Sequence, residues 1–265
     1  MIKTKKRQLT KCIILLLCAA IAITVVFSVF LSGSEDFEFI EAVNNKAISA
    51  NILLINATEE SASISYSAGQ SGVIFKRENE KYYVLTALHG IPIEPESNNV
   101  KFLVLGYDQP EYKEAGLHIG LKAYYSQFPE AVLEYYDEAY DLAIISFLSE
   151  KEYTVLSIAL EQPKHGEPVA AIGNPHTGNR NTVTTGKITS KKPVPFGDEA
   201  GKNQHSIIQH SAKSYIGFSG GALLNRNMEI VGINLGAGEN IFHQFKAGKS
   251  MPCDKILDFL TAWNN

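Results

Sequence analysis

The sequence contains three cysteines, and their positions exclude a disulfide-stabilised domain. Cys12 and Cys18 lie in an apolar run near the N-terminus, so Cys253 is the only cysteine in the rest of the 265-residue chain. A single cysteine cannot form an internal disulfide, and we therefore expect the hydrophobic core to stabilise the domain. Because Cys253 stands at the start of a predicted helix in "PCDKILDFL", we expect a buried thiol there rather than a nucleophile.

After its first eleven residues the chain has no cluster of basic residues. Residues 1–11 hold five of the 24 Lys and Arg residues and none of the 28 acidic residues, which leaves 19 basic against 28 acidic residues and a formal charge of −9. Nucleic-acid binding requires clustered Lys and Arg to contact phosphates. We therefore expect no nucleic-acid partner.

Between residues 61 and 248 no amphipathic stretch is long enough to predict a helix. This region instead contains short runs rich in Val, Ile, Tyr, Phe and Thr, separated by turn signals, such as "YYVLTAL", "DLAIISF" and "EIVGINLG". So many short strands indicate an all-β sandwich or barrels. The C-terminal "PCDKILDFLTAW" predicts a closing amphipathic helix, with Asp254 near its start, where the helix dipole favours an acid.

The one long apolar run, residues 12–33, predicts a transmembrane signal anchor. It carries no charge, and its length matches the ~20 apolar residues of a membrane-spanning helix rather than the ~7–15 of a cleaved signal. Basic residues precede it and none directly follow, so residues 1–11 are expected in the cytoplasm. A tether at 34–50 would then lead to a domain at 51–265 on the periplasmic or extracellular side. A cleaved signal peptide and a buried core helix are the alternatives.

Two polar residues at strand ends are candidates for a base and an orienting acid. His89 follows the apolar strand in "YYVLTALHG", and Asp141 precedes the apolar strand in "DEAYDLAIISF". A partly buried carboxylate can orient an imidazole and stabilise its charged form. Each residue also has a structural interpretation, as a surface or core histidine and as an aspartate that ends a turn. Asp137 and Glu138 are alternatives to Asp141, but no apolar strand directly follows them.

Ser219 in "GFSGGALLN" is the candidate nucleophile. Gly217 can adopt a positive φ, so its N–H and the N–H of Ser219 could form an oxyanion pocket. Gly220 and Gly221 leave room for a substrate backbone. Acyl transfer by serine needs a hydroxyl, an imidazole base, an orienting carboxylate and two oxyanion donors. The sequence offers a candidate for each.

The order His, Asp, Ser belongs to the chymotrypsin arrangement and differs from the Ser, Asp, His order of α/β-hydrolase esterases. The chain resembles the trypsin/chymotrypsin-like serine endopeptidases, and within them the bacterial HtrA-type branch, over about residues 52–263. Five segments carry the resemblance in order: "GQSGVIFKRENEKYYVLTALHG", "YDLAIISF", "AIGNPHTGNRNTVTTGKIT", "GFSGGALLNRNMEIVGIN" and "GKSMPCDKILDFLTAW". The resemblance implies two perpendicular six-stranded antiparallel β-barrels with a C-terminal helix. His89 and Asp141 would come from the first barrel and Ser219 from the second.

The sequence departs from this family at several positions. Phe218 stands where trypsin-like enzymes have Asp and the HtrA-type branch has Asn, so it either packs beneath the oxyanion loop or leaves that loop collapsed until a ligand binds. His210 replaces an acid common in the branch, and we expect no PDZ domain after the helix. The resemblance implies a specificity pocket near Lys213, Asn234 and Gly236. A lysine at its base would favour acidic substrates, whereas a shifted loop would leave Lys213 on the surface.

Together these features predict a membrane-anchored serine endopeptidase of the cell envelope that acts on proteins or peptides. His89 would deprotonate Ser219 and later protonate the leaving amine, and Asp141 would orient His89. Neither a metal ion nor an organic cofactor is expected. The alternative is a catalytically silent or latent protease-like module that binds or senses peptides, which Phe218 and the missing PDZ domain suggest.

Overall fold

The structure is a computed structural model that describes residues 35–60, 63–93, 99–196, 205–239 and 244–265. Residues 42–265 form one compact unit, and the described residues 35–41 belong to a separate one. The predicted anchor at 12–33 and the basic segment before it lie outside the described residues. Among the helices that are described, none has the length and hydrophobicity needed to cross a bilayer.

The segment predicted as a tether contains regular structure. Residues 35–46 form the helix α1, and a 3₁₀ turn, Ile48–Ala50, leads into the first strand. Val43, Ala47 and Ala50 are fully buried. The C-terminal part of this segment therefore contributes apolar side chains to the core.

The first sheet has six antiparallel strands in the spatial order β4-β1-β2-β3-β6-β5. Their bounds are β1 (Asn51–Glu60), β2 (Ser63–Glu78), β3 (Lys81–Ala87), β4 (Val100–Leu105), β5 (Val132–Asp137) and β6 (Leu142–Leu148). The central strands β3 and β6 are buried along almost their whole length, as their continuous apolar sequences predict. Their register pairs Ala87 with Leu142, so the end of β3 lies beside the start of β6.

The second sheet has seven antiparallel strands in the order β8-β7-β11-β12-β13-β10-β9. Their bounds are β7 (Pro168–Gly173), β8 (Thr182–Lys187), β9 (Val194–Pro195), β10 (Ser206–His210), β11 (Ala222–Leu224), β12 (Ile230–Glu239) and β13 (Phe245–Pro252). The buried cluster against this sheet includes the aliphatic residues Val169, Ile188, Ile208, Leu223 and Val231.

The prediction of two six-stranded barrels is confirmed for the strand number of the first sheet, but it is wrong for the strand number of the second sheet and for closure. The second sheet has a seventh strand because the two-residue β9 pairs with β10. A single bridge joins Leu103 in β4 to Glu130 before β5, and another joins Ile188 after β8 to His210 in β10. Within the described residues no continuous ladder closes either sheet. The all-β class and the antiparallel pairing are as predicted.

Helices play a small part between residues 61 and 248. Two helices of four and five residues, α2 (Tyr112–Ala115) and α3 (Leu121–Tyr125), lie between β4 and β5 and are too short for sequence periodicity to detect. The predicted closing helix is confirmed as α4 (Cys253–Trp263). It buries Ile256 and Phe259 and carries Asp254 in its first turn.

Candidate active site

The pairing of β3 with β6 brings His89 and Asp141 together. His89 lies in a 3₁₀ turn, Leu88–Gly90, directly after β3, and Asp141 directly precedes β6. Asp141 has a φ of 52°, in the left-handed region that Asp and Asn tolerate best among residues with a side chain. This backbone conformation turns the chain into β6 beside the histidine turn, and the Asp141 carbonyl accepts a hydrogen bond from Leu88 N–H at 3.0 Å.

Asp141 holds His89 through both oxygens of its carboxylate. Oδ1 accepts the main-chain N–H of His89 at 2.8 Å, and Oδ2 lies 2.8 Å from Nδ1. A carboxylate partner fixes the ring proton on Nδ1, so Nε2 of the neutral ring is left as a proton acceptor. The Asp141 side chain is 16% exposed and that of His89 is 45% exposed, which leaves the imidazole accessible to a substrate.

The alternative acid Asp137 has a different role. Its carboxylate accepts the main-chain N–H of Ala139 at 2.8 Å and so stabilises the turn before β6. Glu138 accepts the Asp141 N–H through its main-chain carbonyl at 3.2 Å. Of the three acidic residues, Asp141 is therefore the one whose carboxylate bonds to His89.

Gln70 in β2 supports the turn that carries His89. Its side chain is buried, and Nε2 donates to the hydroxyl of Thr86 at 2.9 Å and to the carbonyl of Ala87 at 2.5 Å. A Cβ at Gly90 would lie 2.0 Å from Gln70 Oε1, so the absence of a side chain at Gly90 lets the turn pack closely against Gln70. The position of His89 is thus fixed from both sides.

Ser219 lies where the second sheet meets the end of β3. A Cβ on its neighbour Gly220 would lie 2.3 Å from Thr86 Oγ1 and 2.9 Å from Ala87 N, so the backbone after Ser219 packs against the strand that leads to His89. The carbonyl of Ser219 accepts the N–H of Ser71 in β2 at 2.9 Å. Ser219 itself is half-buried.

The residues before Ser219 form a tight turn, Tyr215–Phe218, which we call the oxyanion turn. It is closed by a 3.0 Å hydrogen bond from Phe218 N–H to Tyr215 O, and Gly217 at its third position has a φ of 99°. The Ile216 carbonyl accepts His176 N–H at 3.0 Å. Because C=O and N–H point in opposite directions across a trans peptide, Gly217 N–H points away from His176.

The N–H groups of Gly217 and Ser219 have no protein acceptor in the part of the chain that the structure describes. Two amides without a protein acceptor, one in the turn and one directly after it, can bind a developing oxyanion. The Ser219 hydroxyl likewise makes no hydrogen bond within the described ranges, so a link from it to His89 is not formed here.

Phe218 packs beneath the oxyanion turn. Its side chain is 1% exposed and lies in the core cluster of the second sheet. Its ring stacks edge-on against Tyr215 at a centroid separation of 5.4 Å, and a Cβ at Gly173 would lie 2.5 Å from Phe218 Cγ. An apolar side chain therefore packs beneath the turn that the hydrogen bond from Phe218 N–H to Tyr215 O closes.

The three residues predicted to line a specificity pocket lie in different surroundings. Lys213 is exposed, with its ammonium group 5.1 Å from the centre of the Tyr215 ring. Asn234 is buried behind the nucleophile segment, where its carbonyl accepts Gly220 N–H at 2.7 Å. Gly236 is half-buried in β12, at a shift in the register of this strand with β13. Of these three residues, Asn234 is the one that bonds to the segment that follows Ser219 within the described part of the chain.

His210 is fully buried next to Asn234. Its Nε2 lies 3.1 Å from the hydroxyl of Ser250, which donates to Asn234 Oδ1 at 3.0 Å, and burial lowers the pKa of His210 to about 4. The predicted buried thiol is confirmed at Cys253, whose pKa is raised to about 11 by burial. Within the described ranges, no group of three or more His, Cys, Asp and Glu side chains is placed to hold a metal ion.

Residues outside the predicted set complete the site. Ser71 donates its hydroxyl to Gly217 O at 2.7 Å, and Asn174 N–H donates to that hydroxyl at 2.8 Å. The polar "QS" before the apolar run "GVIF" is the one signal in the sequence that could have identified Gln70 and Ser71. A strand that is buried at this point has no other reason to carry two polar side chains.

Comparison with known proteins places this arrangement in a family. The family described as "trypsin-like peptidase domain" matches residues 70–233, which is more than half of the chain. The chain is 29% identical to the serine protease Do-like HtrA of Bacillus subtilis over 194 residues, or 72% of this chain and 38% of that protein. It is 38% identical to the serine protease PepD of Mycobacterium tuberculosis over 103 residues, or 37% and 22% of the two chains.

A solved structure shares the fold. The crystal structure of the serine endoprotease from Yersinia pestis superposes with a TM-score of 0.57 and 24% sequence identity, over 85% of this chain and 66% of that one. The chain thus spans well under half the length of these two curated relatives. With the match over residues 70–233, the chain belongs to the trypsin-like peptidase family, among relatives of the HtrA type.

Proposed function

We propose that the protein is an HtrA-type serine endopeptidase whose catalytic triad is Ser219, His89 and Asp141. The observation that carries the proposal is the two-point bond of Asp141 to His89, beside the backbone of Ser219 and Gly220 packed against the end of β3. The relatives bear the name serine protease, which agrees with this chemistry.

In the proposed reaction, Nε2 of His89 accepts the proton of Ser219 Oγ as this oxygen attacks the carbonyl carbon of the scissile peptide bond. Asp141 keeps the ring proton on Nδ1 and stabilises the imidazolium that forms. The imidazolium then gives its proton to the leaving amine, and an acyl group remains esterified to Ser219. Water, deprotonated by His89, attacks the ester and releases the acid.

The N–H groups of Gly217 and Ser219 would bind the oxyanion that forms in each tetrahedral intermediate. They are free in the described structure, and a preorganised donor of this kind is worth about 10²–10³ in rate. Substrates would be proteins or peptides whose scissile bond reaches the exposed face of His89. A preference for acidic residues through Lys213 stays a prediction from the resemblance.

We further propose that residues 12–33 anchor the protease domain, residues 51–265, on the outer face of the cytoplasmic membrane. The proposal is supported by the uncharged run and the basic residues before it. Extraction of membranes at alkaline pH should leave the full chain in the pellet and release a variant that lacks residues 12–33. Release of the full chain would contradict the anchor, and a mature N-terminus after residue 33 would indicate a cleaved signal.

Proteolysis is tested with the full chain in detergent and a library of peptides whose products are identified by mass spectrometry. The wild type is expected to cleave peptides, and the Ser219→Ala variant is expected to cleave none while it keeps the same unfolding midpoint. Equal cleavage by both proteins would reject Ser219 as the nucleophile. Binding of peptides without cleavage by the wild type would instead favour the silent binding module.

A further inference from the structure

We propose that Ser71 and His176 are positioning residues that hold the oxyanion turn with the Gly217 N–H free to bind an oxyanion. The inference rests on the proposed function, because it concerns the same site. Both residues connect the oxyanion turn, which belongs to the second sheet, to β2 of the first sheet. The turn is thereby held from outside its own sheet.

Ser71 bonds to the nucleophile segment at two points. Its side chain is fully buried, and its hydroxyl donates to the carbonyl of Gly217 at 2.7 Å. Its main-chain N–H donates to the carbonyl of Ser219 at 2.9 Å. The two peptide units that follow Gly217 and Ser219 are therefore fixed by one residue, whose own carbonyl accepts the Thr86 hydroxyl at 2.8 Å.

His176 fixes the peptide unit before Gly217. Its main-chain N–H donates to Ile216 O at 3.0 Å, and this bond sets the direction of the Gly217 N–H. Its imidazole Nε2 lies 2.6 Å from the carbonyl of Gly69 in β2. Because a carbonyl can only accept, Nε2 carries a proton and donates it.

The His176 ring also limits the space around the turn. A Cβ at Gly217 would lie 2.9 Å from His176 Cδ2 and 2.3 Å from Asn174 O. The oxyanion turn thus packs directly against the backbone and ring of this segment. Movement of the Ile216–Gly217 peptide would require this segment to move with it.

Residues 174–181, which contain His176, are bonded to the first sheet and the turn after it. Asn174 Nδ2 donates to the carbonyl of Ile52 at 2.8 Å. Asn181 Nδ2 donates to the carbonyl of Tyr107 at 2.5 Å, and the Arg180 guanidinium donates to the carbonyl of Gly106 at 3.2 Å. These bonds at both ends of the segment give His176 a fixed position from which to hold the turn.

The variants remove the bond from the Ser71 hydroxyl to Gly217 O or the bond from the His176 imidazole to Gly69 O. Loss of either of these bonds would allow the peptide before Gly217 to turn its N–H away from the oxyanion. Such a change removes an interaction that forms in the transition state, so kcat falls while KM changes little. Since removal of one oxyanion donor costs about 10²–10³ in kcat, we expect a partial loss of about 10–100-fold for Ser71→Ala and for His176→Phe.

The variants at His176 separate positioning from simple packing. His176→Phe keeps the ring and the main-chain N–H but loses the donor to Gly69, whereas His176→Gln keeps a side-chain N–H that can reach the same carbonyl. We expect His176→Gln to recover most of the activity that His176→Phe loses. His165 is exposed on a turn between Lys164 and Glu167, and His165→Phe is the matched control that leaves activity unchanged.

The test uses the full chain in detergent and measures kcat and KM for one cleaved peptide, the affinity for a peptide aldehyde with the same sequence, and the urea midpoint. An aldehyde forms an oxyanion on Ser219, so its affinity should fall in Ser71→Ala and His176→Phe by the same factor as kcat, with KM within about threefold of wild type. Unchanged kcat and aldehyde affinity in both variants would overturn the inference. So would equal losses in His176→Phe and His176→Gln, or losses of kcat that follow the urea midpoint alone. A wild type that neither cleaves the peptide nor binds the aldehyde would instead refute the proposed function.

Discussion

The N–H of Ser71 in β2 lies 2.9 Å from the carbonyl oxygen of Ser219, and this hydrogen bond joins the first sheet to the candidate nucleophile of the second. The neighbouring Gln70 supports the turn that carries His89, and Gly69 accepts a bond from His176. Three consecutive residues of β2 therefore contact His176 beside the oxyanion turn, the end of the strand that leads to His89, and the Gly217–Ser219 segment. The site is a property of the contact between the two sheets rather than of either sheet alone.

Replacement of Asp141 by Asn should abolish most of the activity without unfolding the protein. The amide would donate to Nδ1 and force the proton of the neutral ring onto Nε2, which is then unable to accept the proton of Ser219. We expect kcat to fall by about 10⁴, the size of effect seen when an orienting aspartate is changed in this way. Steady-state hydrolysis of a cleaved peptide measures the loss.

Asp137→Asn is the matched control for this prediction. The asparagine side chain keeps an oxygen that can accept the N–H of Ala139, so the turn before β6 should persist and activity should stay near wild type. If Asp137→Asn were the variant that lost activity and Asp141→Asn were active, the acid would be assigned to the wrong residue.

Gly217→Ala should lower activity far more than its backbone strain explains. At a φ of 99° any side chain is strained by about 1–2 kcal/mol. A Cβ would also lie 2.3 Å from Asn174 O, so the turn must shift and misplace the oxyanion donor. We expect a loss in kcat of about 10²-fold or more.

Gly166→Ala isolates the strain from the clash. Gly166 has a φ of 88°, and nothing lies within 4 Å of its Cβ position. This variant should share the loss of stability in urea and keep its activity. Similar activities for the two variants would show that the position of the Gly217 N–H does not matter for catalysis.

Truncation of Phe218 should destabilise the second sheet. The ring is 1% exposed and fills the core beneath the oxyanion turn, so Phe218→Ala is expected to cost about 3–5 kcal/mol in the free energy of unfolding. Leu160 is 85% exposed, and Leu160→Ala should change that free energy by less than about 0.5 kcal/mol. A small effect at Phe218, measured by urea denaturation, would mean that the turn does not depend on this anchor.

His210 should make the protein less stable in mild acid. Burial lowers its pKa in the folded protein to about 4, whereas an unfolded histidine titrates near 6.5. Between these values the unfolded chain binds a proton that the folded chain does not, so the free energy of unfolding falls as pH decreases from about 6.5 to about 4. The contribution lost across this window is about 3 kcal/mol.

His210→Gln removes the titrating group and keeps a side-chain N–H that can reach Ser250. Urea denaturation at pH 7 and pH 4.5 measures how far the free energy of unfolding falls between these pH values. This decrease should be about 2–3 kcal/mol smaller in the variant than in the wild type. For His165→Gln, at an exposed position, the free energy of unfolding should decrease by as much as it does for the wild type. Parallel losses in all three proteins would exclude His210 as the source of the acid sensitivity.

Much of the fold could be predicted from the sequence, because buried strands leave continuous apolar runs. The runs at β3 and β6 are examples, and the helix α4 was evident from its apolar face. The seventh strand, Val194–Pro195, could not be predicted, since two residues leave no periodicity and pairing with β10 is a long-range choice. The prediction that the sheets close into barrels failed for the same reason, because single bridges depend on tertiary geometry and not on the local sequence pattern.

The site was predicted only in part. His89, Asp141, Ser219 and Gly217 stand out because their residue types and neighbours are unusual for strand ends and turns. Ser71 leaves only the polar "QS" as a signal and His176 leaves none, because these residues lie 148 and 43 positions before Ser219 and contact it or its turn only in the folded chain. The packing of Phe218 likewise depended on a pocket built by distant strands.

The most direct test is the site of covalent modification by a fluorophosphonate probe, which reacts with an activated serine hydroxyl. After labelling of the full chain, peptide mapping by mass spectrometry should find one adduct, on Ser219. The Ser219→Ala variant should carry none, and Ser214→Ala, which removes a buried hydroxyl with no partner among the described residues, should label as the wild type does. Labelling of Ser219→Ala at the wild-type level, or an adduct on another residue, would contradict the account.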